Sequence, residues 1–304
     1  VCFFRASPSR IGIIPANSCF IFITFVCRVK LGLKARKSKT ICMTTALLIS
    51  TYNWPEALEL VLQSVCNQSQ LPDRVIIADD GSEPATRELI QHYAKKLQVP
   101  LDHIWHQDEG FRKSIILNKA VAQSVVDFII QIDGDCILHS EFIADYIKAA
   151  RLGEVLSGTR VNINDGFLPQ LWREKVTRFR LFHPGLRNRL RALHCPFIGR
   201  FYRPKKRFSK KFRGCNTGYW RKDFIAINGY NEDFIGWGRE DSDLAHRLIH
   251  LGCAMKRLKH RGLVYHIPHK IRSKSQLDQN NDLEQYTIDH RLVRIERGVS
   301  QYLK

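Results

Sequence analysis

The sequence has no closely spaced cysteine pair after residue 42 and no uninterrupted hydrophobic run long enough to cross a bilayer. The five cysteines in that region are scattered and include no C-x-x-C motif, which argues against a disulfide framework and against a zinc site. The most apolar stretch, residues 11–27, is interrupted by Pro15 and Asn17, whereas a spanning helix needs about 20 apolar residues. These absences favour a globular protein in a reducing compartment such as the cytosol.

Acidic residues are missing from the first 42 positions, which hold eight Lys or Arg residues. Met43 stands directly before the first strand-like run, so we expect residues 1–42 to be a leader outside the core, produced by a start codon placed too far upstream. A membrane anchor and a secretory signal are the alternatives. The interrupted apolar run argues against an anchor, and the lack of a small-residue cleavage site after it argues against a signal.

A second segment with almost no acid lies at residues 173–213, where fifteen Lys or Arg residues accompany one carboxylate, Glu174. The whole chain carries a formal net charge of +19, a field that attracts nucleic acid, anionic lipid or acidic glycan. Aromatic residues are interleaved with the cations of this segment. The composition predicts an inserted, partly mobile basic surface rather than core, and charge alone does not choose among the three partners.

The rest of the 304-residue chain alternates short β-branched runs with helical patterns. Buried strands are predicted at residues 46–50, 74–79, 101–106 and 127–132. Helices are predicted from a cap at Asn53 with Pro55 in the first turn, and at residues 89–97, 115–125, 221–227 and 240–250. Repeats of strand, helix and strand predict an α/β fold, with a Rossmann-like, mainly parallel sheet and helices on both faces.

Polar residues follow three of the predicted strands where these strands end. The first strand runs into Ser50–Asn53, the second into Asp79–Ser82 and the fourth into Asp133–Asp135. Because the carboxyl ends of parallel strands meet at one edge of a sheet, we expect a ligand site there. Asp133 and Asp135 point to one side of an extended segment and suit a hard divalent ion with diphosphate oxygens. A solvated loop is the alternative for this pair, and simple turn chemistry is the alternative for the second strand end.

Three carboxylates, Glu240, Asp241 and Asp243, begin the helix predicted at residues 240–250. Carboxylates interact favourably with the positive end of a helix dipole, so helix capping is the plain interpretation. The preceding loop Gly236–Gly238 contains a tryptophan, and such a loop allows a sugar ring to stack beside a carboxylate that acts as general base. Both interpretations stay open on local grounds.

Two histidines, His266 and His269, follow the apolar run at residues 263–265. Either histidine could be a surface residue without a role. One of them could instead complete the shell of a metal ion bound at the carboxylates. The neighbouring residues do not decide between these alternatives.

Four motifs in this order resemble those of the inverting family 2 glycosyltransferases: Ser50–Asn53, Ala78–Ser82, Ile132–Asp135 and Gly236–Asp241. The part from Gly214 to Asp243 is similar to the carboxyl-terminal half of β-1,4-galactosyltransferases and chondroitin-type polymerases. The resemblance covers about residues 45–269. It implies a single domain of the GT-A fold, in agreement with the α/β pattern.

The resemblance also implies roles for the residues that match the family motifs. Asp241 would be the general base, Glu240 would hold the acceptor, and Trp237 would form a platform for the sugar. Asp135 and His266 would bind the metal cofactor, Mn²⁺ or Mg²⁺. The donor would be bound by Ser50, Tyr52, Asp80, Arg112, Asn118 and Asp133, with Asp80 at the nucleoside and Asp133 at the ribose or diphosphate.

The expected function is a metal-dependent hexosyltransferase that moves a sugar from a UDP-sugar to a hydroxyl of an anionic glycan, such as lipopolysaccharide core. The domain would consist of a nucleotide-sugar half (43–161), a basic insertion (166–213) and an acceptor half (214–270), followed by a polar helical tail (271–304). Residues 173–213 would contact anionic lipid, which implies a peripheral enzyme on the cytoplasmic face of the inner membrane.

A basic nucleic-acid-binding protein without catalysis is the main alternative, motivated by the net charge. Outside residues 1–42 and 173–213 the chain is slightly acidic and has no nucleic-acid-binding motif, so no nucleic-acid partner is expected. A sugar nucleotidyltransferase lacks support because no Gly-rich phosphate loop follows the first strand. A glycan-binding relative without activity is disfavoured by the intact set of carboxylates.

Overall fold

A computed structural model describes residues 43–269 and 275–303. The predictions made for residues 1–42 therefore lie outside the described residues. The chain from Met43 to Lys304 forms one compact unit, and the described residues of the predicted polar helical tail belong to that unit.

In the described residues, ten strands form two sheets. In chain order the strands are β1 (Thr45–Thr51), β2 (Arg74–Asp79), β3 (Leu101–Trp105), β4 (Phe128–Asp133), β5 (Cys136–Leu138), β6 (Glu154–Ser157), β7 (Thr159–Asn162), β8 (Asn216–Trp220), β9 (Ala254–Arg257) and β10 (Leu263–His266). The main sheet has the order β3-β2-β1-β4-β8-β6-β9, and the small sheet has the order β5-β10-β7. Strands β1 to β4 run parallel, whereas β8 is antiparallel to both β4 and β6. The prediction of a mainly parallel sheet is confirmed.

The helices are α1 (Pro55–Cys66), α2 (Pro84–Lys96), α3 (Lys113–Gln123), α4 (Phe142–Ala149), α5 (Leu168–Glu174), α6 (Pro196–Gly199), α7 (Arg221–Ala226), α8 (Glu240–His250) and α9 (Leu277–Asp289). Short 3-10 helices occur at residues 165–167, 189–192 and 299–302. Within the two described ranges, no helix combines the length and the apolar character that a membrane span requires.

Alternate residues of the central strand β1 point into two different cores. Leu47 and Ile49 pack with the cluster that α1, α2 and α4 form on one face of the sheet. Ala46 and Leu48 pack with the cluster of α3, α7 and α8 on the other face. Because a strand covered on both faces has no polar side, β1 reads in the sequence as one continuous apolar run.

Helix starts differ from the predictions at three places. Asn53 does not cap α1: its φ is 45°, and its Oδ1 accepts a hydrogen bond from the backbone nitrogen of Glu83 (2.8 Å). Trp54 takes the N-cap position without a side-chain hydrogen bond. Helix α2 begins at Pro84, five residues before the predicted start, because proline suits the first turn. Helix α3 begins and ends two residues earlier than predicted.

The small sheet brings two distant chain segments together. The antiparallel register of β5 and β10 places His266 opposite Cys136. The backbone nitrogen of Ile267 donates to the carbonyl of Asp135 at 2.9 Å, which continues this pairing by one residue. The polar end of β4 therefore lies beside the end of β10.

The basic segment at residues 173–213 contains little regular structure apart from α6 and the short helix at 189–192. The prediction that it is surface rather than core is wrong for part of it, because Leu186, Ala192 and Phe212 are buried. Leu186 and Ala192 pack in a third cluster with apolar residues of the small sheet. The segment is thus held to the domain by its apolar residues while its cations remain at the surface.

Helix α9, which lies in the predicted polar tail, packs tightly on the domain. The hydroxyl of Thr287 on α9 donates to Asp243 Oδ1 on α8 at 2.6 Å. Asn280 donates from Nδ2 to the carbonyls of Ile235 (3.1 Å) and Gly238 (3.0 Å). Helix α9 therefore supports the loop that precedes α8.

Candidate active site

A cleft of about 1550 Å³ opens at the carboxyl ends of β1, β2 and β4. Of the site residues predicted from the sequence, all except Arg112 and Asn118 line it. Those that line it are Ser50, Tyr52, Asp80, Asp133, Asp135, Trp237, Glu240, Asp241 and His266. Sequence positions from both ends of the domain thus meet at the edge where parallel strands terminate.

Asp80 and its neighbour Asp79 have different environments. Asp80 faces the cleft, where its Oδ1 lies 2.8 Å from His106 Nε2 and its Oδ2 accepts a hydrogen bond from the backbone nitrogen of Arg112 (3.0 Å). Asp79 is fully buried and accepts from the backbone nitrogen of Ser82 at 2.9 Å. The turn interpretation therefore describes Asp79, while Asp80 is oriented towards the cleft.

Two residues predicted to bind the donor lie elsewhere. Asn118 is fully buried, and its amide donates to the Tyr230 carbonyl (2.8 Å) and to Glu232 Oε1 (2.9 Å). It therefore ties α3 to the loop after α7 instead of facing the cleft. The Arg112 guanidinium pairs with Glu109, and only its backbone nitrogen reaches the site, through Asp80.

A lysine that the sequence analysis did not single out lies at the centre of the cleft. Lys113 Nζ donates to Asp133 Oδ1 at 2.8 Å, and Ser50 Oγ donates to the same oxygen at 2.8 Å. Burial opposes the charge on Lys113, but Asp133, Asp241 and Glu240 together raise its pKa well above the usual value. Burial likewise opposes ionisation of Asp133, yet Lys113 and the hydrogen bond from Ser50 hold its pKa below the usual value.

The sequence did contain a signal for Lys113. It is the first residue of α3, whose first turn contains no acidic residue. A cation at the positive end of a helix dipole is unfavourable unless a carboxylate compensates it. Such a lysine therefore predicts an acidic partner from elsewhere in the fold.

A candidate metal centre lies where the ends of β4 and β10 meet. Asp135, His266 and His269 each offer one ligand atom, and these atoms lie within 4.8 Å of one another. Asp135 Oδ2 is 3.5 Å from His266 Nε2 and 3.4 Å from His269 Nε2. Burial lowers the pKa of His266, against the opposing charge of Asp135, which favours the neutral imidazole that a metal ligand requires. The structure thus adds His269 to the predicted pair.

The carboxylate pair Glu240 and Asp241 begins α8 and also lines the cleft. Asp241 accepts hydrogen bonds from the Gly214 backbone nitrogen (3.0 Å) and the Tyr230 hydroxyl (3.3 Å). Burial raises the pKa of Asp241 in spite of the opposing charge of Lys113. Burial and the adjacent Asp241 raise the pKa of Glu240 to about 7. Glu240 is therefore disposed to exchange a proton near neutral pH.

The third carboxylate of this helix has a structural role. Asp243 is fully buried and accepts from Arg247 Nε at 2.8 Å. Arg247 Nη1 in turn donates to the carbonyls of Ile227 (2.9 Å) and Gly229 (2.7 Å). Asp243 and Arg247 thus connect α8 to the loop after α7.

The glycine-rich loop before α8 presents an aromatic ring to the cleft. Trp237 is 40% exposed and lies between Gly236 (φ +72°) and Gly238 (φ +113°). Arg239 also has a left-handed backbone (φ 78°) and donates from Nε to Asn281 Oδ1 at 2.6 Å. Because left-handed backbone is costly for a residue with a side chain, the contacts with α9 hold the loop in place.

Several cations also line the cleft: Arg160, Arg187, Lys210 and Arg213. Three of them belong to the basic segment at residues 173–213. This segment therefore forms part of one wall of the cleft, in addition to its outer surface.

Two family models match the chain. One is described as glycosyl transferase family 2 and matches residues 46–211. The other is described as the N-terminal domain of galactosyltransferase and matches residues 199–270. Together the two matches cover both sides of the cleft.

Among proteins of similar sequence, a chondroitin synthase of Escherichia coli is 23% identical over 249 residues, covering 73% of this chain and 34% of that protein. A chondroitin synthase of Pasteurella multocida is 23% identical, covering 73% of this chain and 24% of that protein. A β-1,4-galactosyltransferase 1 of Mus musculus is 43% identical over a short match, covering 12% of this chain and 9% of that protein. The chain spans about a third of the first relative and about a quarter of the second. The alternative of a nucleic-acid-binding protein receives no support from these relatives.

Among solved structures, TarS of S. aureus superposes with a TM-score of 0.57 at 14% identity, covering 86% of this chain and 68% of that one. The mannosyltransferase PcManGT of Pyrobaculum calidifontis gives a TM-score of 0.54 at 16% identity, covering 84% of this chain and 66% of that one. At such identities the likeness concerns the fold. The prediction of a GT-A α/β domain is confirmed.

Proposed function

The chain belongs to glycosyl transferase family 2, and from this premise we propose that it is a metal-dependent inverting transferase that moves a sugar from a UDP-sugar to a glycan hydroxyl. One observation carries the proposal. A single cleft holds both an Asp/His cluster suited to a metal and a carboxylate pair suited to proton transfer. Transfer to a hydroxyl from a nucleotide diphosphate donor needs the charge of the leaving group stabilised and the hydroxyl proton removed, and these two groups of residues would supply both.

The donor is proposed to lie on the side of Asp80, Asp133 and Ser50. TarS has been solved in complex with UDP and with UDP-GlcNAc, and PcManGT in complex with GDP-Man and Mn²⁺. These complexes support a nucleotide-sugar donor for this chain as well. Asp80, oriented by His106 and by the backbone of Arg112, would accept hydrogen bonds from the nucleoside. Tyr52, whose hydroxyl donates to Asp108 at 2.7 Å, would border this subsite.

Asp135, His266 and His269 are the residues that would hold the metal. One carboxylate oxygen and two imidazole nitrogens form a mixed ligand set, whereas Mg²⁺ prefers oxygen ligands alone. We therefore favour Mn²⁺, with diphosphate oxygens completing its shell. When bound, the ion would stabilise the negative charge of the departing nucleoside diphosphate.

Asp241 is proposed as the general base. It would take the proton of the acceptor hydroxyl as that oxygen attacks the anomeric carbon, and the hydroxyl oxygen would form the new bond on the face opposite the leaving group. The hydrogen bonds from Gly214 and Tyr230 hold the carboxylate in place for this step, and its raised pKa strengthens it as a base. A single displacement of this kind converts an α-linked donor into a β-linked product.

The acceptor is proposed to stack on Trp237 and to bind Glu240. The cleft cations Arg160, Arg187, Lys210 and Arg213 would attract a phosphate or carboxylate on the acceptor, as in lipopolysaccharide core or another anionic polysaccharide. Such an acceptor also accounts for the basic character of residues 173–213. We propose that this segment brings the enzyme to the cytoplasmic face of an anionic inner membrane.

Calorimetric titration of UDP into the full chain, with and without Mn²⁺, tests the donor and metal assignments. We expect binding that requires Mn²⁺ and that Asp135→Ala abolishes. Asp165→Ala is the matched control, because Asp165 also lines the cleft but lies outside the proposed metal set. Equal UDP binding by the native chain and Asp135→Ala, with or without Mn²⁺, would contradict the proposal.

A further inference from the structure

A short helix outside the cleft exposes three large apolar side chains within five residues. Phe197 is 64% exposed, Ile198 is 43% exposed and Phe201 is 68% exposed. These three residues, here called the aromatic tip, lie on and directly after α6 and do not line the cleft. Grouped apolar side chains on a protein surface mark a site of contact with a protein or a membrane.

The aromatic tip is held firmly on the domain. Gly199 is buried against the loop at residues 259–261, where an added Cβ would lie 2.5 Å from the Lys259 carbonyl oxygen. The Cys195 backbone nitrogen donates to the His260 carbonyl at 2.9 Å. The rings of Phe197 and Phe201 meet edge to face with centroids 5.7 Å apart. The exposed rings therefore form a fixed surface.

Cations from two separate segments lie near the aromatic tip. The Arg200 guanidinium lies 5.8 Å from the centre of the Phe197 ring, and Lys259 Nζ lies 5.2 Å from the centre of the Tyr202 ring. Burial and then the nearby charge of Arg191 lower the pKa of Arg257, which also interacts with Tyr202. No acidic residue occurs between Glu174 and Asp223. The tip thus lies in a positive field without a carboxylate from its own segment.

We propose that the aromatic tip inserts into the headgroup region of an anionic lipid bilayer while the surrounding cations bind lipid phosphates. An apolar surface ringed by Lys and Arg combines the two attractions that interfacial membrane binding uses. Nucleic acid and acidic glycans can also bind cations and stack on rings. Ile198 has no ring for stacking, so a lipid surface is the partner that uses all three side chains of the tip.

The proposal goes beyond the transfer chemistry and does not depend on it. Insertion at α6 would fix the domain to the membrane at a defined point, whereas charge alone would allow many orientations. The cleft would then lie at a constant distance from the membrane surface, where an acceptor anchored in the same bilayer could reach it. The membrane test uses neither donor nor metal, so its failure leaves the proposed activity untouched.

Co-sedimentation with vesicles of phosphatidylglycerol and phosphatidylcholine, compared with vesicles of phosphatidylcholine alone, tests the proposal. The full chain should bind the anionic vesicles. The double variant Phe197→Ser/Phe201→Ser keeps every charge and should lose at least about tenfold in partition, because burial of two rings is lost. The double variant Arg200→Gln/Lys259→Gln should lose roughly fivefold per cation.

Phe182→Ser is the matched control, since Phe182 is also 68% exposed and belongs to the same cationic segment but not to the tip. It should bind vesicles like the native chain. Vesicle binding by Phe197→Ser/Phe201→Ser equal to that of the native chain would overturn the proposal in favour of adsorption by charge. A loss of vesicle binding in Phe182→Ser as large as that in Phe197→Ser/Phe201→Ser would overturn the assignment to the tip. The assignment would also be overturned if Phe197→Ser/Phe201→Ser lost binding of an RNA oligonucleotide but kept binding of vesicles. An unchanged circular dichroism spectrum and an unchanged midpoint of urea unfolding for each variant verify that the domain is intact.

Discussion

The carboxylates of the cleft have different environments at the ends of the strands (the strand side) and at the start of α8 (the α8 side). On the strand side, each carboxylate has a basic partner. Asp80 lies beside His106, and Asp133 lies beside Lys113. Asp135 lies beside both His266 and His269. On the α8 side, Asp241 is held by a backbone N–H and a tyrosine hydroxyl, and Glu240 accepts from the Gly238 backbone nitrogen at 3.1 Å. On the strand side Lys113 keeps Asp133 ionised, whereas on the α8 side burial raises the pKa values of Glu240 and Asp241 in spite of these hydrogen bonds.

This difference separates two tasks within one cleft. A carboxylate that helps to hold a metal or a diphosphate site must stay charged, and a partner cation or imidazole favours that state. A carboxylate that accepts a proton works best when its pKa is near the working pH. Burial moves the pKa of a carboxylate in this direction when no cation is paired directly with it. Lys113 links the sides, because it binds Asp133 directly and also acts on Glu240 and Asp241 through its charge.

The strongest test of the comparison removes the proposed base. Asp241→Asn keeps the size of the side chain but cannot accept the acceptor proton, so kcat for the donor that the native chain uses should fall by about 10² to 10⁴. Mn²⁺-dependent UDP binding should persist, because donor and metal lie on the strand side. Full turnover by Asp241→Asn would assign the base to another group.

The metal centre is tested next, by His269→Ala. Loss of one of three ligands should weaken Mn²⁺ binding in the presence of UDP by at least about tenfold, measured by calorimetry. His92→Ala serves as the control, because His92 is exposed on α2 and lies outside the cleft. If His269→Ala binds Mn²⁺ as tightly as the native chain does, His269 is not a ligand, and Asp135 and His266 are the remaining candidates.

The link between the two sides is tested by Lys113→Met. The charge of Lys113 lowers the pKa values of Glu240 and Asp241, so its loss should raise both and move the acid limb of kcat/KM to higher pH. A displacement of one pH unit lowers the rate on that limb roughly tenfold. Lys113→Arg retains the charge and should keep the native profile. A uniform loss of rate with an unmoved acid limb would mean that Lys113 acts only by position.

The smallest expected effect concerns the stability of the domain and is tested by Glu240→Gln. The pKa of Glu240 in the folded state, about 7, lies above the ordinary value of 4.5, so ionised Glu240 destabilises the folded state above pH 7. This penalty disappears as the pH falls from 7 to 4.5. Glu240→Gln should therefore raise the free energy of unfolding above pH 7 by about 1 to 3 kcal/mol, with little change below pH 4.5.

Urea denaturation above pH 7 and below pH 4.5 measures the free energy of unfolding of Glu240→Gln and of the native chain. A stability change that is the same at both pH values would argue that the effect is packing rather than ionisation.

The central strands and helix α8 could be predicted because the patterns that mark them lie in neighbouring residues. Strands β1, β2 and β4 agree with the predictions to within one residue at each end, since strands covered on both faces are written as continuous apolar runs. Helix α8 has the predicted bounds because charged residues at its start and Gly252 after its end mark them. Strands β5, β7 and β10 are three or four residues long and carry too little pattern to be recognised.

The site was predictable in part, for the same reason. Asp80, Asp133, Asp135 and the pair at the start of α8 stand within short motifs. Lys113 was missed because its partner Asp133 lies on a different element, strand β4. Sequence alone left open which of His266 and His269 would join Asp135, and the structure brings both to it. Asn118 was misplaced because a helical residue can face either a cleft or a core.

By itself, the sequence determined the α/β class, the strand ends that carry carboxylates and the existence of a basic segment, because each is encoded in neighbouring residues. Only the tertiary structure decided which histidines approach Asp135, which lysine neutralises Asp133 and which apolar side chains of the basic segment are buried or exposed. Those outcomes depend on contacts between segments far apart in the chain. Such contacts are set by sheet register and packing, which no single stretch of sequence contains.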